Sequence, residues 1–358
     1  MWSINNVLIR RGTELISFRL QHPSQPQMYG LLSLSIIIFT ALAFGLAILG
    51  IDYTCTQVVA TLAAVEDSSP NTYVRLDNED SNNSCDPNDP HVTTPSITKP
   101  ITSGLGSTIK HLRAHGGIWS CYRGFRMYLA FTVGYICVVF LVAVIPPIPI
   151  DSFIGSDFAH FAGRMFSATW QLAWVHLVIA DKSPRSYHRR MLGLRKWARM
   201  APAAALYNFL KSATFSLPIA AAELAGWTVT SVATNQGYEG LLGVLAASIL
   251  PAIFALLVSI PARGIFTRVA ASMLPEEDDP VVPFDRHFGG NVWPETDGSG
   301  KIGLMDAWTT FEWASRIRYV KIFLKGLAIE VALGVFGFLL LLGELNLMFP
   351  TSQGSSSA

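Results

Sequence analysis

The chain is 358 residues long, 51% hydrophobic and only 14% charged, with a mean hydropathy of +0.38. That composition excludes an ordinary soluble domain, in which charged residues make up about a quarter of the sequence. The net charge of +1 argues against a polyanion partner, and no basic tract interleaved with aromatics points to nucleic acid. The four cysteines, Cys55, Cys85, Cys121 and Cys137, show no C-x-x-C spacing, so neither a disulfide framework nor a zinc site is expected.

Residues 1–29 read as a basic amphipathic tail, with Val7, Leu8, Ile9, Leu15, Ile16 and Phe18 on a surface helix. The tail lacks the uninterrupted apolar core of a secretory signal. Six apolar stretches follow, near 30–51, 127–149, 158–180, 204–228, 240–260 and 320–345. Each has roughly the twenty residues a helix needs to cross a bilayer core. The links after the first, third and fifth are long and polar, and the other two are short. The expected fold is an all-α integral membrane protein of six transmembrane helices arranged as three helical hairpins. The repeats take residues 30–149, 150–228 and 229–346, and 347–358 form a disordered tail.

Within the first long link, Glu66–Ile101 is dense in Ser, Asn, Asp, Pro and Thr and is expected to be disordered. Two segments are expected to be amphipathic helices at the membrane interface: Ser107–Trp119, and Leu304–Tyr319 with Trp308, Phe311 and Trp313. The acidic tract Pro275-Glu276-Glu277-Asp278-Asp279-Pro280 is expected to be a solvated patch, with docking of a protein partner as its functional alternative; the acidic link Glu66–Asp89 offers the same alternative.

Lysine and arginine follow the same alternation. Twenty lie in the long links 52–126, 181–203 and 261–321, and none in the short links 150–157 and 229–239. The long links are therefore expected on the positive-inside face, with both termini opposite. On this topology the sequon at Asn82 stays unused.

Charged residues inside the apolar stretches are few. Arg164, Lys211, Lys325 and Glu344 lie near span ends and are expected to snorkel. Glu223 and Glu330 lie deeper, where a carboxylate needs a wet cavity or a partner. His176 reads as a neutral, hydrogen-bonded residue. His111 and His115 have helical i, i+4 spacing but no evident third ligand, so no metal is expected.

The arrangement resembles the mitochondrial carrier family, whose three repeats each pair an odd transmembrane helix, an amphipathic helix and an even transmembrane helix. That family ends its odd helices in Pro-x-Asp/Glu-x-x-Lys/Arg-x-Lys/Arg, whose charges form a gate. Here Pro261-Ala262-Arg263-Gly264-Ile265-Phe266-Thr267-Arg268 keeps the proline and the last base, while Asp52 and Asp181 keep the acid alone. Arg263 is the base expected to bridge these aspartates, and a symmetric network of three ion pairs cannot form. A second family signature, an acidic residue and glycine before an aromatic-basic-glycine turn, is matched from His115 to Gly124. Gly116, Tyr122, Arg123 and Gly124 are in place, and His115 replaces the acid.

The resemblance implies a divergent transporter of a small solute in a mitochondrial membrane, inner or outer, with a cavity lined by Arg126, Glu223, Lys325 and Glu330. The eroded gate equally resembles carrier-derived adaptors that serve in outer-membrane fusion or insertion without transporting. No enzyme activity and no cofactor are expected. His176 and Asp181 match the short H-x-x-x-x-D pattern of glycerolipid acyltransferases, but the glycine-rich phosphate-binding block is not visible, and no nucleophile elbow, P-loop or H-E-x-x-H occurs.

Overall fold

The computed structural model describes residues 29–67, 100–144, 153–181, 193–224, 249–290, 292 and 300–348. The tail before residue 29, the link residues 68–99 with Asn82, Pro146–Pro149 and the C-terminal segment from 349 lie outside them. The described residues are helical wherever they are regular, apart from an isolated bridge of Ala180 to Pro280. The chain divides into two compact units: Tyr53–Pro218 with Leu250–Gly326, and Met1–Asp52 with Ile219–Ile249 and Leu327–Ala358.

Helix α1 (Tyr29–Ile51) continues through a π-helical stretch, Asp52–Val59, into α2 (Ala60–Val65). Next come α3 (Leu105–Gly116), α4 (Phe125–Val144), α5 (Phe153–Phe166), α6 (Ala168–Ile179) and α7 (Leu194–Leu224). Residues 249–254 are helical and lead through a second π-helical stretch, Ala255–Ser259, into α8 (Ile260–Ser272). Helices α9 (Leu304–Thr309) and α10 (Trp313–Met348) complete the order.

Among the described residues, four helices are long and apolar enough to cross a membrane: Leu34–Val65, Ile118–Val144, Ile249–Ser272 and Trp313–Leu347. They correspond to the first, second, fifth and sixth stretches of the sequence. Their outward side chains, among them Phe39, Phe140 and Leu339, are exposed hydrocarbon, which is stable only against an apolar solvent. The odd spans also run farther than hydropathy suggested, to Val65 and Ser272 rather than to residues 51 and 260.

The third and fourth stretches differ from expectation. Residues 158–180 do not form one helix but divide at Ser167 into α5 and α6. The Ser167 hydroxyl donates to Gly163 O at 3.0 Å, a local bond that competes with the helical ladder. The fourth stretch lies in α7, which begins ten residues earlier than residue 204 and holds Pro202 and Pro218 inside it. Each proline removes an amide donor from the ladder, and Thr214 and Ser216 bond back to the carbonyls of Leu210 and Ser212.

The segment Leu304–Tyr319 is likewise not one interfacial helix. It breaks after Thr309, and residues from Trp313 onward belong to α10. Arg316 holds the break by donating to Phe311 O and Trp308 O, each at 2.6 Å, while its guanidinium stacks on the Trp308 ring.

In the larger unit the core lies where the odd helices end. Helices α2, α6 and α8 pack pairwise there, through fully buried Ala60, Ala63, Ala64, Val175, Val178, Val269 and Ala270. Small side chains let the backbones approach closely, which is how helices associate without help from water. In the smaller unit, α1 and the last part of α10 form an antiparallel seam. Thr40 donates to Glu344 Oε1 at 2.8 Å, the Phe44 ring covers Gly337, and Ile48 reaches Gly334. A Cβ at Gly337 would lie 2.8 Å from the Phe44 ring, so that position has room only for hydrogen.

Candidate functional site at the converging helix ends

Four backbone or side-chain devices tie the odd-helix ends together in the larger unit. The first is Arg268, only 6% exposed. Its Nε donates to Ala307 O at 3.0 Å, its Nη1 to Ala64 O at 3.2 Å and its Nη2 to Thr310 Oγ1 at 3.0 Å. The guanidinium also lies 4.6 Å from the Phe288 ring centre and 5.0 Å from that of Phe311. One planar fork thus serves the end of α2 and both ends of the α9 turn.

The second is Asp181. Arg123 Nη2 meets Asp181 Oδ1 and the Asp181 carbonyl at 3.1 and 3.2 Å. Two motif fragments that the sequence kept apart, the acid after α6 and the base of the aromatic-basic-glycine turn, are one ion pair. Asp181 is therefore bridged by Arg123 and not by Arg263. Arg263 instead donates to Gln57 Oε1 at 2.7 Å and stacks on Phe323. Asp181 also has no bond to His176, whose Nε2 lies 2.9 Å from Ala270 O.

The third device is Tyr53, buried beside the turn. Its hydroxyl donates to Arg123 O at 2.6 Å and accepts from Trp174 Nε1 at 3.1 Å. Gly124 completes the turn with φ of +76°, and a Cβ there would meet Trp174 at 3.2 Å. Both the conformation and the contact require glycine. At Gly116 only the contact is tight: a Cβ there would lie 3.1 Å from that of Ser120. Tyr122 stacks in parallel on Tyr53 with ring centres 6.3 Å apart.

The fourth is the way the first and third long links return. Glu66, just after α2, is 1% exposed; it accepts from Ile101 N at 2.6 Å, from Thr102 N at 2.9 Å and from the Thr102 hydroxyl. Arg318 donates to Glu66 O at 2.9 Å. After α8, Ser272 Oγ accepts from Ile302 N at 3.1 Å in the corresponding place. Both links then enter a helix through an extended glycine, Gly104 or Gly303, followed by leucine. No motif marks Glu66, Ser272, Gln57 or Arg318 as site residues, and Glu66, expected at the start of a disordered link, is instead buried and bonded. The pair Gly104-Leu105-Gly106-Ser107 and Gly303-Leu304-Met305-Asp306 was the visible signal for this returning element.

The acidic tract presents Glu276, Glu277 and Asp279 to solvent, as a solvated patch does, and departs from that reading at one residue. Asp278 is fully buried, Arg286 donates to Pro275 O at 2.8 Å and to Asp278 O, and Asp181 N donates to Asp279 O at 2.7 Å. Glu276, Glu277 and Asp279 alone face outward. Their backbone is fixed because it closes the end of α6: Val281 N donates to Ile179 O at 2.9 Å.

Among the cavity candidates, Arg126 and Lys325 are exposed. Glu223 lies in α7, and its side chain is outside the described residues. Glu330 belongs to the smaller unit, where its Oε1 is buried without a hydrogen-bond partner among the described residues; Asp52 in the same unit is close enough to repel it. Glu344 does not snorkel but bonds Thr40. The two imidazoles of His111 and His115 lie 4.6 Å apart, with His111 Nε2 3.3 Å from Val281 O.

No protein-family model matches this chain, and no curated protein matches it.

Proposed function

We propose that this multi-pass membrane protein is a divergent carrier-like transporter of a small solute in a mitochondrial membrane. The supporting observation is the convergence of three odd-helix ends, joined by remnants of a charged gate: Arg123 on Asp181 and Arg263 on Gln57. Contacts of this kind are stable when packed and separable at modest cost. A single ion pair that keeps some solvent contact contributes on the order of 1 kcal/mol, so such an end can open on the time scale of transport. The two π-helical stretches and the break at Ser167 interrupt all three odd helices before this end, where hinges would have to lie.

A second reading is a carrier-derived adaptor that does not transport. It is favoured by Phe266, which stands where the family has a gate base and is buried against Tyr207 with ring centres 5.6 Å apart. Reconstitution separates the two. Liposomes containing the purified protein, loaded in turn with phosphate, citrate, glutamate, adenine nucleotides and basic amino acids, should show saturable exchange of one class. No exchange across that panel would leave the adaptor.

A further inference from the structure

Three cations in the larger unit have no ion pair with any described carboxylate. These are Arg164 on α5, Lys211 on α7 and Arg263 on α8, each half-buried. They lie around one buried phenol, Tyr207: Lys211 follows it by one turn on α7, and Arg263 on α8 precedes by one turn Phe266, whose ring centre is 5.6 Å from that of Tyr207. Lys211 Nζ lies 5.8 Å from the Tyr207 ring centre, and Arg164 stacks at 5.5 Å on Tyr135. Arg164 Nη1 reaches Ser212 Oγ at 3.4 Å. Asp157, two turns earlier on α5, acts at His160, and His160 is held by the Tyr135 hydroxyl at 2.6 Å.

Like charges gathered in a low-dielectric region repel one another unless a counter-charge sits among them. Each of these cations spends few of its donors on the protein. Arg164 reaches one hydroxyl, Arg263 one amide oxygen, and both retain further N–H groups for a planar oxyanion. Arg268, one helical turn beyond Arg263, makes the contrast: it is saturated by three acceptors and two rings.

We propose that Arg164, Lys211 and Arg263, gathered around Tyr207, bind a small solute through its carboxylate or phosphate groups. The inference rests on the transport reading for the solute's passage, while binding itself is measured separately. A free metabolite and a lipid headgroup share this chemistry, and two arms tell them apart.

In the first arm, full-length protein in uncharged detergent is titrated with citrate and with inorganic phosphate at constant ionic strength, following Trp and Tyr fluorescence. Saturable binding is expected, weakened about tenfold by Arg164→Gln or Lys211→Gln, since each removes one charge-assisted hydrogen bond. Lys211→Arg should retain it. In the second arm, the protein in phosphatidylcholine nanodiscs with and without phosphatidylglycerol is melted. A stabilisation by the anionic lipid that the same two glutamine variants abolish would identify a headgroup as occupant. If neither citrate, phosphate nor anionic lipid gives an effect sensitive to these variants, the site does not exist. Either single variant keeps the test decisive if the other fails to fold, as read by circular dichroism. Binding without exchange in liposomes would sink the transport reading alone; exchange unaffected by the variants would sink this site alone.

Discussion

Replacing Arg268 by methionine should destabilise the larger unit more than any other single change at the helix ends. Arg268 donates to Ala64 O, Ala307 O and Thr310 Oγ1, and hydrogen bonds from a charged donor contribute about 1.5–3 kcal/mol each. Methionine fills similar volume and avoids the cost of burying a guanidinium, which offsets several kcal/mol of that sum. It leaves two buried carbonyls without a donor, at about 1–3 kcal/mol apiece. The net loss is then about 3 kcal/mol, or roughly 6 °C for a chain of this size at about 2 °C per kcal/mol. Arg268→Lys should recover only part of this, because a single ammonium cannot span three acceptors on separate elements. Melting of the detergent-solubilised protein, followed by intrinsic fluorescence, measures the shift. Arg263→Met is the internal comparison; with one amide partner and one ring contact it should shift the midpoint less than half as far. A midpoint for Arg268→Met within about 1 °C of the parent protein would refute the assignment of Arg268 as the anchor.

A double-mutant cycle of Arg123→Gln and Asp181→Asn should give a coupling of about 1 kcal/mol that shrinks as salt rises, since both side chains keep some solvent contact; a salt-independent coupling would count against a direct ion pair. Gly124→Ala should cost about 1–3 kcal/mol, from positive φ and from the 3.2 Å approach of Trp174, with Tyr53→Phe restoring none of it. In the smaller unit, Gly337→Leu should push α1 from α10, and a disulfide between Thr40→Cys and Glu344→Cys, efficient otherwise, should fail to form in that background. For sidedness, a membrane-impermeant maleimide applied from the positive-inside face should label Ser186→Cys and spare Gln236→Cys; the reverse pattern would overturn the charge-based topology.

How much of this was legible beforehand differs from residue to residue. Hydropathy located the first, second, fifth and sixth spans because a run of apolar side chains is a local, additive property. It placed their ends too early, at residues 51 and 260, because Tyr53, Cys55 and Thr61, or Pro261, Arg263 and Arg268, look like link residues until their neighbours are known. The division at Ser167 was invisible for the opposite reason: a single hydroxyl bonding back one turn leaves average hydropathy unchanged. Asp181, Arg123, Arg263 and Arg268 were all singled out by motif spacing, yet spacing could not say that Arg123 takes Asp181 while Arg263 takes Gln57. The run of four acids signalled solvent correctly for Glu276, Glu277 and Asp279; Asp278 alone is buried, because the same backbone also closes a helix end.

The sequence alone determined that this chain seeks an apolar solvent and that its long links carry the positive charge. Those are properties of composition and order along the chain. Tertiary structure decided which motif fragments meet, which arginine is saturated as an anchor and which three cations are left facing one another around Tyr207. Partnership between charges depends on distances across helices far apart in sequence, and only the packing of α2, α6 and α8 sets them.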